Sequence, residues 1–141
     1  MNKAPDFTLS YIDQPGTYQL SKHLGKVIVL TFWTSWCPDC SHDLPLKERL
    51  YQASTNEAIV FITINVSGRE PNQEEARRYY HQFLTQPTLV DHGLETYRAY
   101  NCLGVPTTVI IDQTGFIIKT FSDQARPLQI METLAPFLSE N

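Results

Sequence analysis

The chain is poor in several things, and each shortage narrows what it can be. No apolar run approaches the roughly 20 residues that a membrane-spanning helix needs, and no charged-then-apolar leader precedes Ala4, so neither anchor nor signal peptide is expected within it. Three cysteines in 141 residues are too few for a disulfide framework, so any pair among them reads as reactive rather than as a staple. Positive charge is scarce too. With 11 basic against 15 acidic residues the net charge is −4, which leaves no basic face of the kind a nucleic-acid partner requires. Repeats and low-complexity tracts are absent. What remains is 42% apolar content at ordinary domain length, enough for one core, so residues 1–141 are expected to form a single domain.

The most informative feature is the pair Cys37 and Cys40. It follows the apolar run Val27-Ile28-Val29-Leu30-Thr31-Phe32-Trp33 and precedes a helical pattern. A Cys-x-x-Cys that opens a helix puts two thiols on one turn, where they can close a disulfide. It also exposes the first thiol to unpaired N–H groups and the positive end of the helix dipole, which favour a thiolate. Cys37 is therefore the expected nucleophile and Cys40 the resolving thiol. Pro38 suits the first helical position, where its missing N–H costs nothing. Asp39 adds negative charge beside the thiolate and makes the disulfide less oxidising, which favours a reductase direction.

Strands and helices alternate along the chain. Val27 to Phe32 and Ile59 to Val66 read as strands buried on both faces, and Pro38 to about Ala53 as the helix between them, a βαβ unit with a right-handed crossover. Pro45 inside that helix is expected to kink it or, alternatively, to end it. Asn72 with Glu75 predicts a reciprocal cap on a helix through Tyr79, Phe83 and Leu84. Thr88 to Val90 reads as a short strand and Leu94 to Tyr100 as a short helix. Thr107 to Ile111 and Phe116 to Phe121 flank Asp112-Gln113-Thr114-Gly115 as an antiparallel hairpin. Pro127 to Leu138 closes the chain as an amphipathic helix interrupted at Pro136. The fold class is α/β, a mixed sheet with helices on both faces.

In its active-site stretch the chain resembles the thioredoxin superfamily, and within it thiol-disulfide oxidoreductases of the TlpA/ResA type. The resemblance rests on Phe32-Trp33, Trp36-Cys37-Pro38-Asp39-Cys40 and Asp43-Leu44-Pro45, then on Gly104-Val105-Pro106-Thr107-Thr108 and Ile111-Asp112-Gln113-Thr114-Gly115. At the start, Ala4 to Leu9 looks like the group's opening strand and Gly16 to Ser21 like the hairpin after it. The implied fold is thioredoxin-like, a central mixed sheet flanked by helices with an N-terminal β-hairpin extension. The implied activity is reduction of protein disulfides by dithiol exchange, without a cofactor or metal, as a monomer, with an upstream thiol donor of electrons. The resemblance also implies a site of action outside the cytoplasm, tethered to a membrane, if a segment precedes this chain, and the cytoplasm if the chain is complete.

The expected substrate-binding residues are Trp36 and Pro38 beside the nucleophile, with Val105 and Pro106 opposite. Sequence alone favours a trans bond before Pro106, whereas the resemblance implies cis, with the Val105 backbone turned toward the cysteines and open to an extended substrate. Asp43, three residues beyond Cys40, is expected to accept its proton during resolution. The alternative is an exposed carboxylate that merely favours the helix dipole. Trp33 reads as core, Cys102 as a small buried apolar residue, and His42 as pointing away. The sequence departs from thioredoxin proper at Thr31, where that protein has a buried aspartate. Two other functions fit parts of the pattern. A thiol peroxidase would use Thr34 with Cys37, but Leu30 stands where a proline is needed; a copper carrier would use both cysteines and a remote histidine, but His92 is poorly placed for it.

Overall fold

The computed structural model describes residues 2–122 and 125–138. Its strands are β1 (Asn2–Lys3), β2 (Thr8–Tyr11), β3 (Thr17–Gln19), β4 (Val27–Trp33), β5 (Ile59–Asn65), β6 (Thr88–Val90), β7 (Thr107–Ile111) and β8 (Phe116–Phe121). Its helices are α1 (Pro38–Ala53), α2 (Gln73–Phe83), α3 (Glu95–Ala99) and α4 (Pro127–Leu138). One eight-stranded sheet runs β1-β8-β7-β4-β5-β6-β2-β3. β4 pairs in parallel with β5, and β5 with β6, whereas β7 lies antiparallel to β4 on the other side.

β4 occupies the middle of the sheet because every one of its seven residues can be buried, and all seven are. Its alternate side chains build two different cores. Ile28, Leu30 and Phe32 face Tyr97 and Tyr100 around α3, together with Phe7, Tyr18 and Leu20 from the N-terminal stretch. Val27 and Val29 face Ile130 and Leu134 of α4, with Leu50 and Tyr51 of α1 packed beside them. Trp33 joins Leu44 of α1 and Tyr79 of α2 in a third cluster that contains both Cys37 and Cys40. Helices therefore lie on both faces, but one face owes much of its cover to aromatic side chains of the N-terminal extension.

That extension runs differently from the expected opening strand. Residues 4 to 7 are not a strand: Pro5 has no N–H to give a ladder, and the chain uses this stretch to cross from one sheet edge to the other. β1 pairs with β8 at one edge; beyond Phe7, β2 pairs with β6 at the opposite edge and with β3 in the hairpin. One segment thus adds strands at both ends of the sheet, the two-residue β1 beside β8 and the β2–β3 hairpin beside β6.

The two interior prolines do not end their helices. α1 continues past Pro45 to Ala53 and α4 past Pro136 to Leu138, so the expected interruption of α4 is absent. In each case the carbonyl left without an N–H partner belongs to an exposed residue, Ser41 or Glu132, where water can serve it. The Asn72 cap forms, with its side chain accepting from the Glu75 N–H, but the Glu75 carboxylate turns to Arg78 instead of closing the reciprocal bond.

Candidate active site

The cysteines are placed by the end of β4. After Trp33 the chain turns through 34 to 36, and Cys37 becomes the residue that caps α1, with Pro38 in the first turn. The Cys40 N–H donates to Cys37 Sγ at 3.1 Å, and the Cys37 thiol donates to the Val105 carbonyl at 3.5 Å. Both are free thiols, with Cys37 4% exposed and Cys40 fully buried. Burial pushes the Cys40 thiol well above its ordinary value; the bond with Cys37 and the charges of Cys37 and Asp43 push the same way, against a hydrogen bond from the Thr34 backbone.

Opposite the cysteines, the Val105-Pro106 peptide bond is cis. Pro106 is buried and Val105 half-buried, while the Thr107 hydroxyl donates to the Gly104 carbonyl at 2.6 Å. Cys37, Cys40, Val105 and Pro106 thus meet at one place. Trp36 and Pro38 are exposed at its rim, and Leu103 stands 88% exposed on the neighbouring loop. Trp33 is core, its indole N–H donating to the Thr63 hydroxyl at 3.0 Å. His42 is exposed. Cys102 is half-buried against the core, its thiol pushed up to about 12 chiefly by burial.

The turn leading into Cys37 is pinned by a residue that sequence reasoning missed. Glu70 accepts from the Ser35 N–H and from the Ser35 hydroxyl, each at 2.7 Å, and from the Asn65 side chain at 2.6 Å. Next to it, the Arg69 carbonyl accepts from the Trp36 indole N–H at 2.6 Å, while the Arg69 guanidinium lies 5.8 Å from the Trp36 ring and donates to the Tyr97 hydroxyl at 2.8 Å. Gly68 lets this turn sit against Gly93, since a Cβ there would come within 2.7 Å of the Gly93 carbonyl carbon. Beside Trp36 a cleft of about 410 Å³ opens toward α2, lined by Asn72, Arg78 and Tyr79 among others.

Asp43 is buried, not an exposed helix carboxylate. It accepts from the Lys47 ammonium and, at 3.1 Å, from the Ala125 N–H. Lys47 is as buried as its partner and donates in addition to the Thr108 hydroxyl on β7. The sheet itself offers no acid beneath the cysteines: Thr31 is buried, its hydroxyl without a hydrogen-bond partner among the described residues, so the buried carboxylate comes from α1. Lys47 was overlooked in the sequence, although its position four after Asp43 and seven after Cys40 places all three on one helical face. Tyr79, hydrogen-bonded to Ser41, closes the cysteine cluster from α2.

Known proteins resemble this chain in sequence and in fold. Sporulation thiol-disulfide oxidoreductase A of Bacillus subtilis (strain 168) is 32% identical over 97 residues, covering 68% of this chain and 59% of that protein. Thiol-disulfide oxidoreductase ResA of Geobacillus thermodenitrificans (strain NG80-2) is 32% identical over 117 residues, covering 82% and 65%. The chain therefore spans roughly three fifths of the length of these relatives. The crystal structure of StoA from Bacillus subtilis matches with a TM-score of 0.80 at 27% identity, over 92% of this chain and 96% of that one. The thioredoxin-like fold is thus shared along nearly the whole length. A family model described as Redoxin matches residues 1–134, and the chain belongs to the Redoxin family.

Proposed function

We propose that this protein is a thiol-disulfide oxidoreductase that reduces disulfides of protein substrates through Cys37-Pro38-Asp39-Cys40. The observation that carries the reading is the position of Cys37 Sγ, at the head of α1 with the Cys40 N–H on it and the Val105 carbonyl against it. Cys37 thiolate attacks a substrate disulfide, forming one S–S bond and releasing one substrate sulfur as thiolate. Cys40 then gives up its proton and attacks Cys37 Sγ; the Cys37–Cys40 bond forms and the second substrate sulfur leaves. Two electrons have passed to the substrate, and an upstream dithiol restores the pair.

The roles follow from burial. Cys40 has no exposed surface and a thiol pushed up by burial, so it suits the second, intramolecular step. Trp36 and Pro38 at the rim, with Val105 and Pro106 opposite, form the groove for an extended substrate segment, which Val105 can meet through its backbone. Asp43 takes the Cys40 proton. The acid at Asp39 supports the reductive direction. The resemblance to the TlpA/ResA group supports a monomer acting outside the cytoplasm in membrane-tethered form; no described helix is itself long and apolar enough to cross a membrane.

Serine variants test the assignment. Cys37→Ser should abolish turnover of a protein disulfide, whereas Cys40→Ser should stop after the first attack and accumulate a mixed disulfide, visible by mass spectrometry. Preferential alkylation of Cys40 in the reduced protein, or rapid peroxide-driven sulfenic acid at Cys37 without disulfide reduction, would refute the reading.

A further inference from the structure

We propose that Lys47 is a positioning residue for the resolving step: it holds a fixed positive charge beneath Cys40 that keeps the buried cluster electrically balanced while the Cys40 proton passes to Asp43. The inference rests on the exchange reading above and adds to it a residue to which that reading gives no part.

The starting observation is a lysine with 1% of its surface exposed. A buried ammonium is costly unless an anion and further acceptors surround it, and Lys47 has both, in the Asp43 carboxylate and the Thr108 hydroxyl. Cys40, Asp43 and Lys47 follow one another along one face of α1 in successive turns, close enough that the Asp43 charge acts on Cys40 and the Cys40 sulfur on Lys47. Burial pushes the Lys47 ammonium down, and the Asp43 carboxylate opposes that shift first; the Cys40 sulfur acts in the same direction.

Two protonation states then have equal charge. Before transfer the cluster holds a Cys40 thiol, an Asp43 carboxylate and the Lys47 ammonium. Afterwards it holds a Cys40 thiolate, an Asp43 carboxylic acid and the same ammonium. One negative and one positive charge are present throughout, and only the site of the negative charge moves, by about one helical turn. Without the ammonium, both states carry an unbalanced negative charge in a dry interior. The carboxyl would then take up a proton at rest and could no longer accept one from Cys40. The other groups around Cys40 cannot replace the cation. Cys37, which caps α1, is tied up in the mixed disulfide at this step and carries no charge; Tyr79 on α2 becomes an anion when it ionises, Thr108 on β7 is neutral, and the Thr34 and Ala125 segments contribute hydrogen bonds through the backbone.

The test uses an aromatic disulfide whose thiol product is coloured, mixed with the reduced protein in a stopped-flow instrument. The first coloured equivalent reports attack by Cys37; the second reports its displacement by Cys40. Lys47→Met should leave the first phase within about twofold, slow the second about tenfold or more at neutral pH, and move its pH midpoint up by about one unit. Lys47→Arg should keep the wild-type midpoint. A second phase of unchanged rate and midpoint in folded Lys47→Met overturns the proposal. Should that variant fail to fold, carbon-13 NMR of the Lys47 side chain in the wild-type protein decides. An ammonium throughout the pH range in which the second phase titrates supports the proposal, and a neutral amine in that range overturns it. Failure of the exchange reading looks different: the wild-type protein would then show no second phase at all.

Discussion

Replacing Glu70 by alanine removes three hydrogen bonds to one carboxylate, two of them from Ser35 and one from Asn65. Hydrogen bonds to a charged acceptor contribute about 1.5–3 kcal/mol each when both partners are shielded. Glu70 is only half-buried, so water can take over part of what is lost, and we expect a net destabilisation of about 2–3 kcal/mol rather than the full sum. At this chain length each kcal/mol lowers Tm by about 3–4 °C, so the melt should shift down by about 6–12 °C. The chemical consequence is more selective. Ser35 and Trp36 lead straight into Cys37, so loosening them should slow the attack of Cys37 on a protein disulfide severalfold. The internal step between Cys37 and Cys40 should persist, because the first turn of α1 sets their spacing and Glu70 does not touch it. Thermal melts and the two-phase thiol-release assay measure the two effects separately. A Tm within about 1 °C of wild type, together with an unchanged first phase, would refute the idea that this carboxylate aims the nucleophile.

Gly68→Ala should destabilise the fold by about 1–3 kcal/mol, because the new Cβ meets the Gly93 backbone and Leu94 at 2.7 Å and backbone cannot swing aside; a denaturant midpoint equal to wild type would contradict the close packing. Asp112 carries a pH prediction. Burial alone would raise its carboxyl, but the N–H groups of Phe116 and Thr114 and the Thr114 hydroxyl outweigh it and hold it below its ordinary value. Its support of the β7–β8 turn is therefore complete above the unfolded value and lost as pH falls through the lower folded one. The Tm difference between wild type and Asp112→Asn should be widest near neutrality and close below about pH 4. A difference that stays constant down to about pH 2 would show that the carboxylate charge contributes nothing there.

The parts of this molecule that could be read from sequence are those whose signal is local. β4, α1 and the β7–β8 hairpin announce themselves through consecutive β-branched residues, a Cys-Pro pair at a helix start and an Asp-x-x-Gly turn, each complete within a few positions. Residues 4 to 7 imitate a strand through apolar Phe7 near Leu9, while the reason they are not one, the crossing from one end of the sheet to the other, exists only in the assembled fold. Glu70 was missed for a similar reason: its partner Ser35 is 35 positions away. Lys47 shows the limit most clearly. Asp43 with Lys47 and Glu75 with Arg78 are both acid-base pairs at helical spacing, and nothing within either helix tells them apart. The second pair lies in solvent, where such an interaction contributes little. The first lies beneath the Ala125 segment and against β7, where the same two charges must balance each other and whatever charge develops on Cys40. Spacing can therefore nominate a pair, but only the surfaces laid over it by distant segments decide whether it is a solvated ornament of the helix or part of the chemistry.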